Sequence, residues 1–170
     1  MNSQLGANPV EKVIHVTGNW ALNFVLIAIT TRTLCSLPHM RRIGWLHQVA
    51  GWAAFFYATL HFLAYAVLEH ALSIGEMLDD ALRHRRIFAG ALAYIGLAAA
   101  AVMALPVVSH AMGYARFRAL HKVVYPAALC GVVHYVWLVK KDLRAPLIYA
   151  AAFAALAAYR AVMKFSRRPV

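Results

Sequence analysis

Charge is scarce in this chain, and acid is scarcer still. Only 14% of its 170 residues are charged, against about 25% in a typical soluble domain. By contrast 63% are hydrophobic, and the mean hydropathy is +0.63. The acids number six: Glu11, Glu69, Glu76, Asp79, Asp80 and Asp142. None lies within an apolar run away from its ends, which counts against a path for divalent cations, because these want oxygen ligands. The two cysteines, Cys35 and Cys130, both sit in apolar stretches and read as packing residues, and no CxxCH occurs, so covalently attached c-type haem is excluded. No glycine-rich phosphate loop, nucleophile–base–acid set or paired carboxylate falls within the runs. The first nineteen residues are too polar or mixed to form a cleavable signal peptide.

Long apolar runs dominate what remains. Residues 18–37, 43–69, 87–108, 119–139 and 146–164 are each long enough to cross roughly 30 Å of hydrocarbon at about 1.5 Å per residue. The expectation is an all-α integral membrane bundle of about five transmembrane helices, one domain over 1–170. Pro146 suits the first turn of the last span. HALSIGEMLDDALRHRR, between the second and third spans, alternates apolar and charged residues at helical spacing and is expected to lie along the interface.

The formal charge of +11 is not a nucleic-acid footprint, because the basic residues cluster at span ends. Arg32, Arg41, Arg42, Arg116, Arg118, Lys122, Arg160, Lys164, Arg167 and Arg168 share one side with no acid among them. All six acids fall on the other side. The positive-inside rule then expects a multi-pass inner-membrane protein with a periplasmic N-terminus and a cytoplasmic C-terminus.

Four of the nine histidines lie at membrane depth, where ionisable groups are costly and usually functional. His39, His70, His84 and His110 fall in loops or at span ends and read as solvated or interfacial side chains. His15 sits just outside the first span. With spans two and four both running outward, His47 and His121 share the cytoplasmic half, and His61 and His134 share the outer half. The two layers stand about 20 Å apart at 1.5 Å per residue. Neutral imidazole ligates haem iron, and two axial histidines leave no open site, which favours electron transfer. The pattern is that of two stacked bis-histidine haems, with Gly51 and Gly131 leaving room for a flat ring. Arg41, Arg42, Arg116, Arg118 and Lys122 are candidates for the inner propionates, and Lys140, Lys141 or Arg144 for the outer ones. One difficulty stands. Fourteen residues return to within about 40° of the same helix face, but thirteen, the His121–His134 spacing, miss by roughly 140°. Pro126 lies between those two and can kink or rewind the helix.

The segments GANPVEKVIHVTGNWAL (6–22), ATLHFLAY (58–65), LHKVVYPAAL (120–129) and VHYVWLVKKDLRAPLIYA (133–150) resemble the haem-binding membrane subunit of the bacterial protein-methionine-sulfoxide reductase system, the MsrQ/YedZ family. That family belongs to the ferric-reductase-like transmembrane superfamily, together with NADPH oxidases and ferric reductases. The resemblance implies a membrane b-type cytochrome that passes electrons to a periplasmic molybdopterin-dependent methionine sulfoxide reductase. It implies haem b as cofactor, with FMN a further candidate, and matches His61, His121 and His134 to histidines linked with haem. His15 matches the histidine of the NPV…H-x-TG segment.

Two departures stand out. Family members usually carry a further helix before the NPV segment, so this is a five-helix form or its start is displaced. His47 also stands where an Arg-Arg pair is usual, which restores the four-histidine pattern of the oxidase branch.

The sequence reading is therefore an electron conduit with two haems b, ligated by His47 with His121 and by His61 with His134. The donor is quinol or a flavin reductase. Its rivals are a stand-alone ferric or cupric reductase and, from another class, a histidine-based metal transporter.

Overall fold

A computed structural model describes residues 9–139 and 142–166. Lys140 and Lys141, two of the candidate propionate holders, lie outside the described residues. Among the described residues eight α-helices run in order: α1 Pro9–Leu34, α2 Gly44–Ala64, α3 Ile74–Arg83, α4 Arg85–Ala104, α5 Pro106–Met112, α6 Tyr114–Leu120, α7 Val124–Leu138 and α8 Arg144–Ser166. Five segments among the described residues are long and apolar enough to cross a membrane: Pro9–Leu34, His39–Glu69, Arg85–Ala104, Tyr114–Leu138 and Arg144–Met163. The all-α membrane bundle and its five spans are as the hydropathy pattern anticipates.

Boundaries follow local chemistry. Helix α1 starts at Pro9, which has no N–H to leave unsatisfied, and Glu11 in its first turn complements the helix dipole. It begins well before the apolar run and so takes His15 into the helix. Within it Thr31 and Thr33 are buried, and each hydroxyl donates to the carbonyl four residues back, Ile27 at 2.7 Å and Ile29 at 2.7 Å. Two polar groups are thereby hidden inside the helix. Leu105, held extended (φ −60°, ψ 134°) ahead of Pro106, separates α4 from α5. Gly113, at φ 79°, makes the next break, in a conformation that side chains disfavour.

The fourth span is not a uniform helix. Residues His121–Val123 form a 3-10 turn between α6 and α7. Pro126 lacks an N–H for the Lys122 carbonyl and its ring crowds that group, so the preceding turn tightens. Helix α2 likewise passes into a π turn over Tyr65–Glu69. The chain then turns through Ala71 (φ 45°) and Leu72 (φ 64°), two non-glycine residues held in the left-handed region.

Two antiparallel pairs organise the bundle: α1 packs most closely on α2, and α4 on α7. Helix α8 lies against α7 and α1. At Gly96 a Cβ would come within 2.8 Å of the Ala127 Cβ, so α4 and α7 approach as only small residues permit. The interior is built from Val25, Ile29, Ala54 and Ala128, with Phe24, Leu97, Tyr125 and Phe153 packed round them. Large apolar side chains point outward instead: Trp45, Ile95, Val107, Ile148 and Val162 are all exposed. Small inside and large outside inverts the soluble pattern and suits a surface solvated by lipid.

Candidate functional site

Both helix pairs hold a histidine in the same way. His61, near the end of α2, has its Nδ1 2.8 Å from the Ile14 carbonyl of α1. His134 on α7 has its Nδ1 2.7 Å from the Arg86 carbonyl of α4. One helical turn beyond each acceptor is a glycine against the ring. A Cβ at Gly18 would stand 3.0 Å from the His61 imidazole, and one at Gly90 2.8 Å from that of His134. Each imidazole is thus braced by a neighbouring helix that has no side chain at the point of contact.

The two rings face each other across the bundle with centroids 6.1 Å apart and planes inclined by 75°. Donation from Nδ1 to a carbonyl fixes the proton there and leaves Nε2 as the free, basic nitrogen, the usual arrangement of metal-bound histidine. Two imidazoles sharing a metal at about 2 Å through Nε2, the metal–nitrogen distance of zinc sites, would place their centroids roughly 6 Å apart. The site fits a bis-imidazole metal group.

The other layer repeats the plan less completely. His47 Nδ1 lies 3.0 Å from the Ala28 carbonyl of α1. His121 is close enough to feel the charge of His47 and the carbonyl of Ala100 on α4. Its Nδ1 is nevertheless buried without a partner in hydrogen-bonding geometry. The His121 ring instead stacks on Phe117, with centroids 4.9 Å apart. Ile14 and Ala28 are fourteen residues apart, and so are Arg86 and Ala100. The acceptor helices therefore present carbonyls at the same two depths. A Cβ at Gly51 would meet nothing within 4 Å, whereas one at Gly131 would be in ordinary contact with Ala93 and Leu22.

The 3-10 turn accounts for the thirteen-residue spacing. Three steps at about 2.0 Å and ten at about 1.5 Å span roughly 21 Å, the same rise as fourteen α-helical steps from His47 to His61. Tighter winding also adds about 60° of rotation, which recovers part of the missing turn.

The cations fall in two groups. At the His47 end Arg41 and Arg42 stand exposed on the 3-10 segment Pro38–Ile43. Arg118 is exposed on α6 with its guanidinium 5.9 Å from the Tyr114 ring centre. Arg32 acts on both His121 and Tyr125, and Arg160 lies over Tyr125 at 5.1 Å and donates to Thr33 Oγ1 at 3.3 Å. At the opposite end Arg86 has a buried Nε without a partner. Sequence reasoning passed over Arg86 and the two cradle glycines. The glycine signal was available only once the neighbour of each histidine was known.

One turn beyond His61 lies a second polar group. Tyr65 donates to Asp80 Oδ2 at 2.6 Å, His84 Nδ1 is 2.7 Å from Oδ1, and His70 Nε2 is 3.5 Å from Oδ2. Burial pushes the Asp80 carboxyl up, but the hydrogen bonds from Tyr65 and His84 and the charges of His84 and His70 outweigh it, leaving its pKa below the ordinary value. These contacts pin α3 to the bundle. They also give His70 and His84, which sequence alone left as surface residues, a common structural partner. Among the described residues no three His, Cys, Asp or Glu side chains form a group that could hold a metal ion.

Residues 16–132 match the model of the ferric reductase like transmembrane component family. Among curated proteins the chain is similar to the protein-methionine-sulfoxide reductase heme-binding subunit MsrQ of Azospira oryzae, 35% identical over 95% of this chain and 70% of that protein. The subunit of the same name from Rhodospirillum rubrum is 35% identical over 99% of this chain and 81% of that protein. The one from Herminiimonas arsenicoxydans is 31% identical over 99% and 78%. The chain belongs to the ferric-reductase-like transmembrane family and, within it, to the family of the MsrQ subunits.

Proposed function

We propose that this protein is a membrane b-type cytochrome that carries electrons across the inner membrane to a methionine sulfoxide reductase. The observation that carries the reading is the His61–His134 pair: two imidazoles at 6.1 Å, each tied through Nδ1 to a different neighbouring helix. Haem b, if held by His61 and His134, would supply one-electron transfer without an open site for substrate. Around it, His61 and His134 act as ligands whose orientation the Ile14 and Arg86 carbonyls fix, and Gly18 and Gly90 make the space those rings occupy. His47 and His121 form the second ligand pair, near Arg32, with Arg41, Arg42 and Arg118 at the same end for acidic groups. The segregation of basic residues supports an orientation with the His47 layer towards the cytoplasm and the His61 layer towards the periplasm. The partner is a periplasmic, molybdopterin-dependent methionine sulfoxide reductase; the names of the relatives support the methionine sulfoxide reductase part of this reading. Electrons enter from quinol or from a flavin reductase, with FMN as a candidate second cofactor.

The test is haem content. Purified protein should show reduced b-type bands and two haems per chain, and His47→Ala should retain one. A natural chain that holds a single haem would remove the two-haem arrangement. A colourless protein that binds zinc would replace it with metal transport. The family description favours one further reading, direct reduction of ferric ion. Rapid reduction of ferric chelates by the purified protein, with no partner present, would establish that instead.

A further inference from the structure

Arg86 begins α4 in the sequence HRR, where it reads as an ordinary flanking charge. In the fold it does two things at once. Its carbonyl accepts the His134 Nδ1 proton at 2.7 Å, and its side chain turns inward, so that Nε is buried with no hydrogen-bond partner. Its charge is felt at His134. A buried guanidinium nitrogen without an acceptor is expensive, because its desolvation is not repaid. The nearby acids are engaged elsewhere. Asp80 receives Tyr65, His84 and His70; Asp79 pairs with Arg83; Glu76 faces His70. Ile14, the equivalent position on α1, is apolar, so the layer carries this cation on one side.

We infer that Arg86 is the binding residue for a carboxylate of the group held between His61 and His134, pairing with one haem propionate. The inference rests on the haem reading above. A guanidinium matches a carboxylate with parallel N–H donors, and a charge-assisted pair of this kind is stronger and more directional than a neutral one. One residue then fixes both the ligand ring, through its backbone, and the edge of the porphyrin, through its side chain. Its positive charge also favours the reduced state of the iron, which carries one more electron.

The whole chain produced without haem and titrated in detergent tests this. Haem b and its dimethyl ester, which lacks the carboxylates, are the probes. Arg86→Gln should weaken haem b binding about tenfold, while Arg86→Lys keeps most of the affinity. The dimethyl ester should bind the natural chain and Arg86→Gln equally. In haem-loaded protein Arg86→Gln should shift one haem's redox equilibrium about tenfold towards the oxidised form, or about 59 mV for a one-electron couple. Equal haem b affinity in Arg86→Gln and the natural chain, or the same loss with both probes, would overturn the assignment. A natural chain that takes up no haem would instead overturn the haem reading, and this inference with it.

Discussion

The two histidine layers share one plan and differ in finish. In the His61 layer both rings have a carbonyl on Nδ1 and a glycine at the wall. In the His47 layer only His47 has its carbonyl, and His121 sits on a 3-10 turn with Nδ1 unpaired. The difference begins with a spacing of thirteen residues in place of fourteen. A rigid wall costs no reorganisation when a ligand enters, whereas an unpaired ring leaves tautomer and orientation to be settled on binding. The first layer should therefore hold its metal group more tightly than the second.

The strongest way to break the contrast is to fill a cradle. Gly90→Val places a Cβ where the His134 ring stands, 2.8 Å from Nδ1. The ring must move and lose its Arg86 carbonyl. Loss of such orienting contacts typically costs 10–100-fold in metal affinity, so the variant should lose one haem and keep the other. The check is haem per chain with redox titration. Gly18→Val should act in the same direction and less strongly, since its contact is 3.0 Å. Full haem content in Gly90→Val would mean that the cradle is incidental.

The next effect concerns the 3-10 turn. Pro126→Ala restores an N–H to the Lys122 carbonyl and lets α-helix run through 121–123, turning His121 by about 60° away from its layer. Haem content should fall in the His47 layer alone, by several-fold, although the helix itself becomes more regular. Loss from both layers would show that Pro126 acts on the whole bundle.

These two cases also mark how far the sequence could be read. Hydropathy and charge placed five spans, because lipid imposes one crude requirement on each, and an imidazole in such a span stands out at once. That His61 lies near His134, and His47 near His121, was legible from depth alone, which needs only the rise per residue. Pro126 carried a visible signal for its turn. Gly18 and Gly90 did not, because a glycine in a membrane helix is common and its meaning depends on which side chain the neighbouring helix brings to it. Arg86 was hidden for the same reason: composition shows a cation at a span end, and only packing shows that it turns inward. The start of α1 was missed because Glu11 and His15 lower the hydropathy without weakening the helix.

The smallest effect should come from a brace that only the His61 layer possesses. Asp80 ties α3 to the end of α2 through Tyr65, with His70 and His84 around the same carboxylate and Glu76 beyond His70. Its pKa is lower folded than unfolded, so the contribution is fully present above the ordinary carboxyl value of about 3.9. It fades as pH falls through the lower folded value. The carboxylate is partly open to water, which screens the interaction and keeps it modest. Amide exchange in α3 should accordingly stay slow from neutral pH down to about 4 and quicken below that. In Asp80→Asn it should be fast already at neutral pH and lose this acid dependence, while the haem content of both layers stays unchanged. If Asp80→Asn released haem from the His61 layer, α3 would be part of the wall of that site and the contrast between the layers would extend beyond the four spans that carry the histidines and their acceptors. If exchange in α3 were the same in both proteins at every pH, the strained turn at Ala71 and Leu72, and not the carboxylate, would be what holds α3 in place.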